Sequence, residues 1–161
     1  MNKIGELNLY VGGILDFRQL REGWAAVHAC QTIHYKRFGW SIHNRPPKDH
    51  PHYLMHESGQ RMTLNWVDGG AHLYEWFGWE GMIRVLDFID RQIKAGLNVL
   101  VHCDDGFSRS PTVALMYAAK RAKIISSLSY EQAKKDFLEL YPKYSPGGIG
   151  DFVKANWDLI T

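Results

Sequence analysis

The stretch Leu97–Thr112, LNVLVHCDDGFSRSPT, constrains the fold more than any other. It opens with Leu97–Val101, an apolar and partly β-branched run of strand length. It closes with Ser110-Pro111, which reads as a helix start, serine capping and proline at the first helical position. Between them lie Cys103 and, after five intervening residues, Arg109. A strand, a tight loop and a helix in that order define a half-turn of a parallel α/β sheet. They also place the cysteine before a helix N-terminus. A loop whose backbone N–H groups turn inward beside the positive end of a helix dipole is an anion site.

The residue types suit covalent chemistry at that site. A helix N-terminus and nearby cations favour the thiolate of a cysteine, the nucleophilic form. The planar fork of Arg109 can meet two oxygens of a phosphate. Gly106 lets the loop bend where a side chain would strike the anion, and Ser110 can donate a hydrogen bond to sulfur as it leaves. The alternative is a buried structural cysteine with an unrelated arginine nearby. His102, Gly106, Ser110-Pro111 and the strand–helix context together weigh against it.

The rest of the chain supplies matching elements. Leu7–Val11 before Gly12-Gly13 reads as a strand, Phe17–Glu22 as a short helix, and Trp24–Cys30 as a core strand. Arg61–Val67 alternates like a strand and ends at Asp68-Gly69-Gly70. Met82, Val85, Leu86, Ile89 and Ile93 fall on one face of a helix over Trp79–Ala95, with Asp87 and Asp90 on a solvated side and Gly96 as its stop. Further helices are expected over Pro111–Arg121, over Ser129–Tyr141 with a Ser129/Gln132 capping box, and from Ser145-Pro146 through Trp157. Residues 1–161 are expected to form a single α/β domain whose mainly parallel central sheet is flanked by helices.

Composition narrows the function classes. Apolar residues make up 45% of the chain, too many for a disordered protein, and a net charge of +2 gives no argument for nucleic acid. Two distant cysteines, Cys30 and Cys103, form no disulfide framework. No run approaches the roughly 20 apolar residues of a membrane span. A soluble cytoplasmic monomer is the expectation, without membrane or nucleic-acid partner. Residues 41–60 carry His43, His50, His52 and His56 among three prolines. With no accompanying cysteine or helical spacing, a solvated loop bordering the site is the expected reading, and no metal is assigned.

The segment His102-Cys103-Asp104-Asp105-Gly106-Phe107-Ser108-Arg109-Ser110-Pro111 resembles the H-C-x5-R-[ST] signature of the cysteine-dependent protein tyrosine phosphatases, in its dual-specificity form. The opening Leu9-Tyr10-Val11-Gly12-Gly13 is similar to the start of such domains. The resemblance implies a fold of this family and an activity: removal of phosphate from phosphotyrosine, with phosphoserine and phosphothreonine as further substrates, in phosphorylated proteins or peptides. It implies Cys103 as nucleophile, Arg109 and the backbone of Asp104, Asp105, Gly106, Phe107 and Ser108 as the phosphate cradle, Ser110 as the aid to sulfur departure, and His102 as a support that orients the loop. Trp66-Val67-Asp68 resembles the family's W-P-D loop, with Val for Pro, and makes Asp68 the general acid. Two following glycines suggest a segment able to move over substrate; a plain turn aspartate is the alternative.

In a tumour-suppressor lipid phosphatase of the superfamily, a cysteine after the strand corresponding to Trp24–Cys30 pairs with the nucleophile. Cys30 is therefore a candidate redox partner of Cys103, against the simpler reading of a small buried hydrophobe. Asp104 and Asp105 oppose a thiolate and an anionic substrate unless their side chains point outward. The absence of lysine between Cys103 and Arg109 disfavours inositol phosphates. Phe107 fits either a pocket wall or packing under the loop. The family mechanism uses no cofactor. The alternatives are a phosphoinositide or RNA 5′-phosphatase with the same loop, a phosphate-binding module without turnover, and a rhodanese-like sulfur carrier.

Overall fold

In a computed structural model describing residues 1–161, the run before Cys103 is the middle of the sheet. The strands are β1 (Asn2–Lys3), β2 (Leu9–Gly12), β3 (Trp24–His28), β4 (Met55–Ser58), β5 (Arg61–Leu64) and β6 (Asn98–His102). Their order across the sheet is β1-β2-β6-β3-β5-β4. The four inner strands are parallel, and the edge strands β1 and β4 pair antiparallel. Val99, Leu100 and Val101 of β6 are all fully buried, the continuous apolar pattern of a strand covered on both faces.

The helices are α1 (Ile14–Arg18), α2 (Gln31–Phe38), α3 (Gly78–Lys94), α4 (Arg109–Lys120), α5 (Tyr130–Leu140) and α6 (Gly148–Ala155), with a 3-10 turn at Ala71–Tyr74. Every residue of α4 from Arg109 to Ala119 is buried. It packs on β2 and β6 and against α3, α5 and α6. Small residues such as Ala114, Ala118 and Ala119 let these neighbours approach. The register aligns Gly12, His102 and His28 at the carboxyl ends of β2, β6 and β3. The loop after β6 therefore leaves the sheet at its carboxyl edge, where open α/β sheets bind ligands.

Several boundaries differ from the sequence expectations, each for a local reason. The first helix spans Ile14–Arg18, not Phe17–Glu22, because the Asp16 carboxylate accepts the Gly13 N–H at 2.9 Å and starts it early. The strand from Trp24 ends at His28, and Cys30 becomes the N-cap of α2. The Ser129 hydroxyl accepts from Gln132 N at 3.1 Å, but the Gln132 side chain turns to Asp136, so half of the capping box forms. Asp87 and Asp90 are not merely solvated: they reach Arg121 at 2.8 Å and the Tyr117 hydroxyl at 3.1 Å, tying α3 to the end of α4.

The region 41–60 is more ordered than a solvated loop. It contains β4, and His50, His52 and His56 pack about Phe38 and Trp40, mostly edge-on, with ring centroids 4.9 Å apart for His50–Trp40 and 4.5 Å for His52–His56. Beneath them, buried His34 bonds Thr63 Oγ1 at 2.8 Å and the His52 carbonyl at 2.9 Å. Imidazole here is packing material. No helix is long and apolar enough to cross a membrane.

Candidate active site

The loop 103–109 is shaped by fixing its carbonyls outward. Asp104 O accepts from Ile14 N at 3.1 Å, Gly106 O from the Tyr141 hydroxyl at 2.8 Å, and Phe107 O from Ser145 N at 2.8 Å. Ser108 O accepts from the Thr112 hydroxyl at 2.7 Å, and that hydroxyl meets Tyr144 at 2.9 Å. With the carbonyls turned away, the amides turn in. Gly106 N–H reaches Cys103 Sγ at 3.2 Å, while the amides of Asp105, Phe107, Ser108 and Arg109 have no acceptor within the protein. Gly106 has φ +83°, and a Cβ there would sit 3.0 Å from the Gly12 carbonyl carbon, so only glycine fits.

Cys103 is 2% exposed, at the base of a pocket of about 190 Å³ that Asp68, Phe107, Arg109 and Lys143 help line. The Ser110 hydroxyl lies 3.2 Å from its sulfur and 3.0 Å from Gly12 O. One proton is shared between two acceptors, so donation can pass to sulfur when sulfur carries charge. Ser110 thus serves the thiol and not the helix end. The helix starts at Arg109 with Ser108 before it, and Pro111 sits in the first turn, where a missing N–H costs nothing.

Arg109 is 4% exposed. It donates to Trp66 O at 2.9 Å and to Asp104 Oδ2 at 2.7 Å. Its Nε is buried and unpartnered. A buried charged donor without acceptor is costly, and here it lies beside a thiol and free amides, a donor set suited to an oxyanion. The Asp104 carboxylate turns neither fully outward nor toward the phosphate site. The arginine captures one oxygen, and Thr32 Oγ1 approaches the other at 3.3 Å. Asp105 lines the pocket, and Phe107, half exposed, forms its wall instead of packing under the loop.

His102 is fully buried beneath the loop. Its Nδ1 lies 3.2 Å from Cys103 O and its Nε2 2.5 Å from His28 Nδ1. Burial pulls both imidazoles down, His28 to about 3 and His102 to about 4, so both are neutral at pH 7. A carbonyl can only accept, so His102 Nδ1 carries the proton. Its Nε2 must then accept from His28 Nδ1–H, leaving His28 Nε2 a bare acceptor.

Asp68 is exposed at the pocket edge. Its segment is anchored at three points: Trp66 O receives Arg109, Val67 O receives the Tyr74 hydroxyl at 2.7 Å, and Gly69 O receives Gly148 N at 3.1 Å. A Cβ on Gly148 would lie 2.2 Å from Gly69 O, so the segment and the start of α6 touch backbone to backbone. The tight backbone approach is thus at Gly148; a Cβ on Gly69 or Gly70 would meet only the Leu73 or His72 side chain. Cys30 is buried, and burial pushes its thiol up to about 11.

Sequence reasoning missed the strap from Tyr141 to Gly148. Ser145 N and Gly147 N bond Phe107 O and Ser108 Oγ, which also explains why α6 starts at Gly148 and not at Ser145-Pro146. Lys143 enters the pocket from the same strap. Only the Pro146-Gly147-Gly148 punctuation hinted at a special backbone.

No protein-family profile matches the sequence. Over 77 residues the chain is 30% identical to dual specificity protein phosphatase 5 of Rattus norvegicus, and over 75 residues 32% identical to dual specificity protein phosphatase 1 of Homo sapiens. Those stretches are 48% and 47% of this chain but only 20% and 19% of the relatives' own lengths. The crystal structure of human DUSP28 superposes with a TM-score of 0.63 at 15% identity, covering 98% of this chain and 91% of that one. The fold is a phosphatase fold. Over about half of its length the chain is similar in sequence to dual specificity protein phosphatases, and its whole fold is similar to theirs.

Proposed function

We propose that the chain is a phosphomonoester hydrolase that removes phosphate from phosphotyrosine, and from phosphoserine or phosphothreonine, in proteins through a cysteinyl-phosphate. The observation that carries this reading is the arrangement at Cys103: sulfur within 3.2 Å of Gly106 N–H and Ser110 Oγ, beside a buried Arg109 with a free Nε. Cys103 Sγ attacks phosphorus in line with the departing oxygen. The amides of residues 104–109 and the Arg109 guanidinium stabilise the equatorial oxygens as the P–O bond loosens. Asp68 gives its proton to the leaving oxygen, then as carboxylate takes one from the attacking water. Water opens the S–P bond, Ser110 donates to the sulfur, and inorganic phosphate leaves. His102 positions the loop through Cys103 O. No step draws on a cofactor or a metal ion.

Cys30 is proposed as redox partner of Cys103. Peroxide oxidises the Cys103 thiolate to a sulfenic acid, and the Cys30 thiol condenses with it, forming the S–S bond and releasing water. Lys143 in the pocket supports preference for substrates with negative charge beside the phosphoester.

The experiment is hydrolysis of para-nitrophenyl phosphate, phosphopeptides and phosphoinositides in EDTA by wild type, Cys103→Ser and Asp68→Asn. Turnover abolished in the first variant, slowed in the second and fastest on phosphopeptides is expected. Turnover that survives Cys103→Ser overturns the mechanism, and preference for phosphoinositides overturns the substrate class. Folded wild type that binds vanadate without turnover makes the chain a phosphate-binding module.

A further inference from the structure

A second cavity, of about 360 Å³, shares no residue with the pocket at Cys103. It lies where α2 passes over the ends of β3, β4 and β5. Its lining includes Lys36, Arg37 and Arg61, and no carboxylate. None of the three cations is in an ion pair, and neighbouring Glu57 is engaged by Arg91. The whole chain carries only +2, so three unpaired cations around one hollow are a marked concentration of charge.

The cavity is also built to take an apolar body. Phe17 and Ile33 contribute its hydrophobic lining. Arg61 is held in place: it donates to Trp24 O at 3.0 Å, and its guanidinium carbon lies 5.7 Å from the centre of the Phe17 ring. His28 lines the same hollow. Its Nε2 makes no hydrogen bond within the protein. By the proton order derived above, that nitrogen is a bare acceptor. It therefore suits a ligand that brings a hydroxyl hydrogen as well as negative charge.

We propose that this cavity is a second ligand site and binds an aryl phosphate. The ring lies on Phe17 and Ile33, the phosphate oxygens meet Lys36, Arg37 and Arg61, and a protonated phosphate oxygen donates to His28 Nε2. A divalent cation is repelled by the three charges, and a carboxylate lacks the hydrogen that the imidazole accepts. The ligand sits two hydrogen bonds from the catalytic loop, through His28, His102 and Cys103 O. Free aryl phosphates and phosphotyrosine side chains share this chemistry.

The test uses Cys103→Ser protein, labelled with 15N, titrated with phenyl phosphate and separately with a capped phosphotyrosine tripeptide up to about 10 mM, the weak end of specific affinity. Saturable shifts are expected at the amides of 33–37 and 58–61, separate from those of 104–109. The His28 Nε2 resonance should move as it accepts a hydrogen bond. Lys36→Ala with Arg37→Ala, both exposed on α2, should weaken these shifts about tenfold or more while the loop shifts and the rest of the spectrum stay. Tighter binding of the tripeptide identifies a peptide ligand, and tighter phenyl phosphate a free one. Shifts confined to 104–109, or shifts at α2 that survive the double variant, overturn the proposal. Neither outcome depends on turnover at Cys103.

Discussion

The two halves of the candidate active site are built differently. The loop 103–109 is continuous in sequence, has Cys103, Gly106, Ser108 and Arg109 buried, and is fixed by hydrogen bonds to each of four carbonyls. The Asp68 segment follows β5, two strands away from β6, is exposed, and owes its place to Arg109 and Gly148, distant in the chain, and to Tyr74, seven residues on from Val67. In the proposed mechanism the first half binds charge and must be rigid before substrate arrives, whereas the second delivers a proton and needs only to be near. Damage to the loop should therefore affect every substrate, whereas damage to the acid should show only where the leaving group needs a proton.

After Cys103→Ser, the largest effect should come from Arg109→Lys. Lysine keeps the charge but cannot reach Trp66 O and Asp104 together while offering a third N–H to phosphate. A fall in kcat of about 10²–10³ is expected, equal for para-nitrophenyl phosphate and for phosphotyrosine peptide. Steady-state kinetics on both substrates checks it. A loss seen on one substrate alone would break the contrast drawn above.

Gly148→Ala tests the other half without touching a reacting group. A methyl there meets Gly69 O, Gly70 C and Ala71 N within 2.4 Å, so the Asp68 segment must move. General acids contribute about 10² or more when the leaving group is basic. A phosphoserine peptide should therefore lose about 10- to 100-fold in kcat, and para-nitrophenyl phosphate, whose leaving group is stable as an anion, only a few-fold. Equal losses on the two substrates would show that Asp68 is not the proton donor.

Much of this was legible in the sequence because it is local. The run Leu97–Val101, the spacing from Cys103 to Arg109 and the glycine at 106 lie within one turn of chain, and the strand, loop and helix follow from neighbours. Helix α3 was legible from its apolar face for the same reason. The strap at 141–148 was not, because Tyr141, Ser145 and Gly147 bond a loop some 35–40 positions away, as with Tyr141 to Gly106 at a separation of 35. The Asp104–Arg109 pair was not legible for want of geometry: five residues apart, they face each other only because the loop closes. The histidines at 50, 52 and 56 read as a solvated loop, and aromatic packing on Phe38 and Trp40 accounts for them instead.

The smallest effect concerns what supports the loop from below. His28 and His102 sit at about 3 and about 4 in the folded protein, against an ordinary value of 6.5. Burial is the main cause, with their mutual proximity adding to it at His28. The folded state keeps them neutral, while the unfolded chain takes up protons below pH 6.5. Their contribution to stability is thus complete above pH 6.5 and is lost as pH falls toward the folded values. Each histidine removes about 1.4 kcal/mol per pH unit in that window. His28→Asn keeps an N–H for His102 Nε2 but removes one titrating group. Urea unfolding between pH 7.5 and 5 should show a shallower fall for the variant, by about one proton. An unchanged slope would mean that the pair already takes up a proton in the folded state. The neutral, donor-ordered chain from His28 to Cys103 O would then be wrong, and the loop would rest on a charged pair.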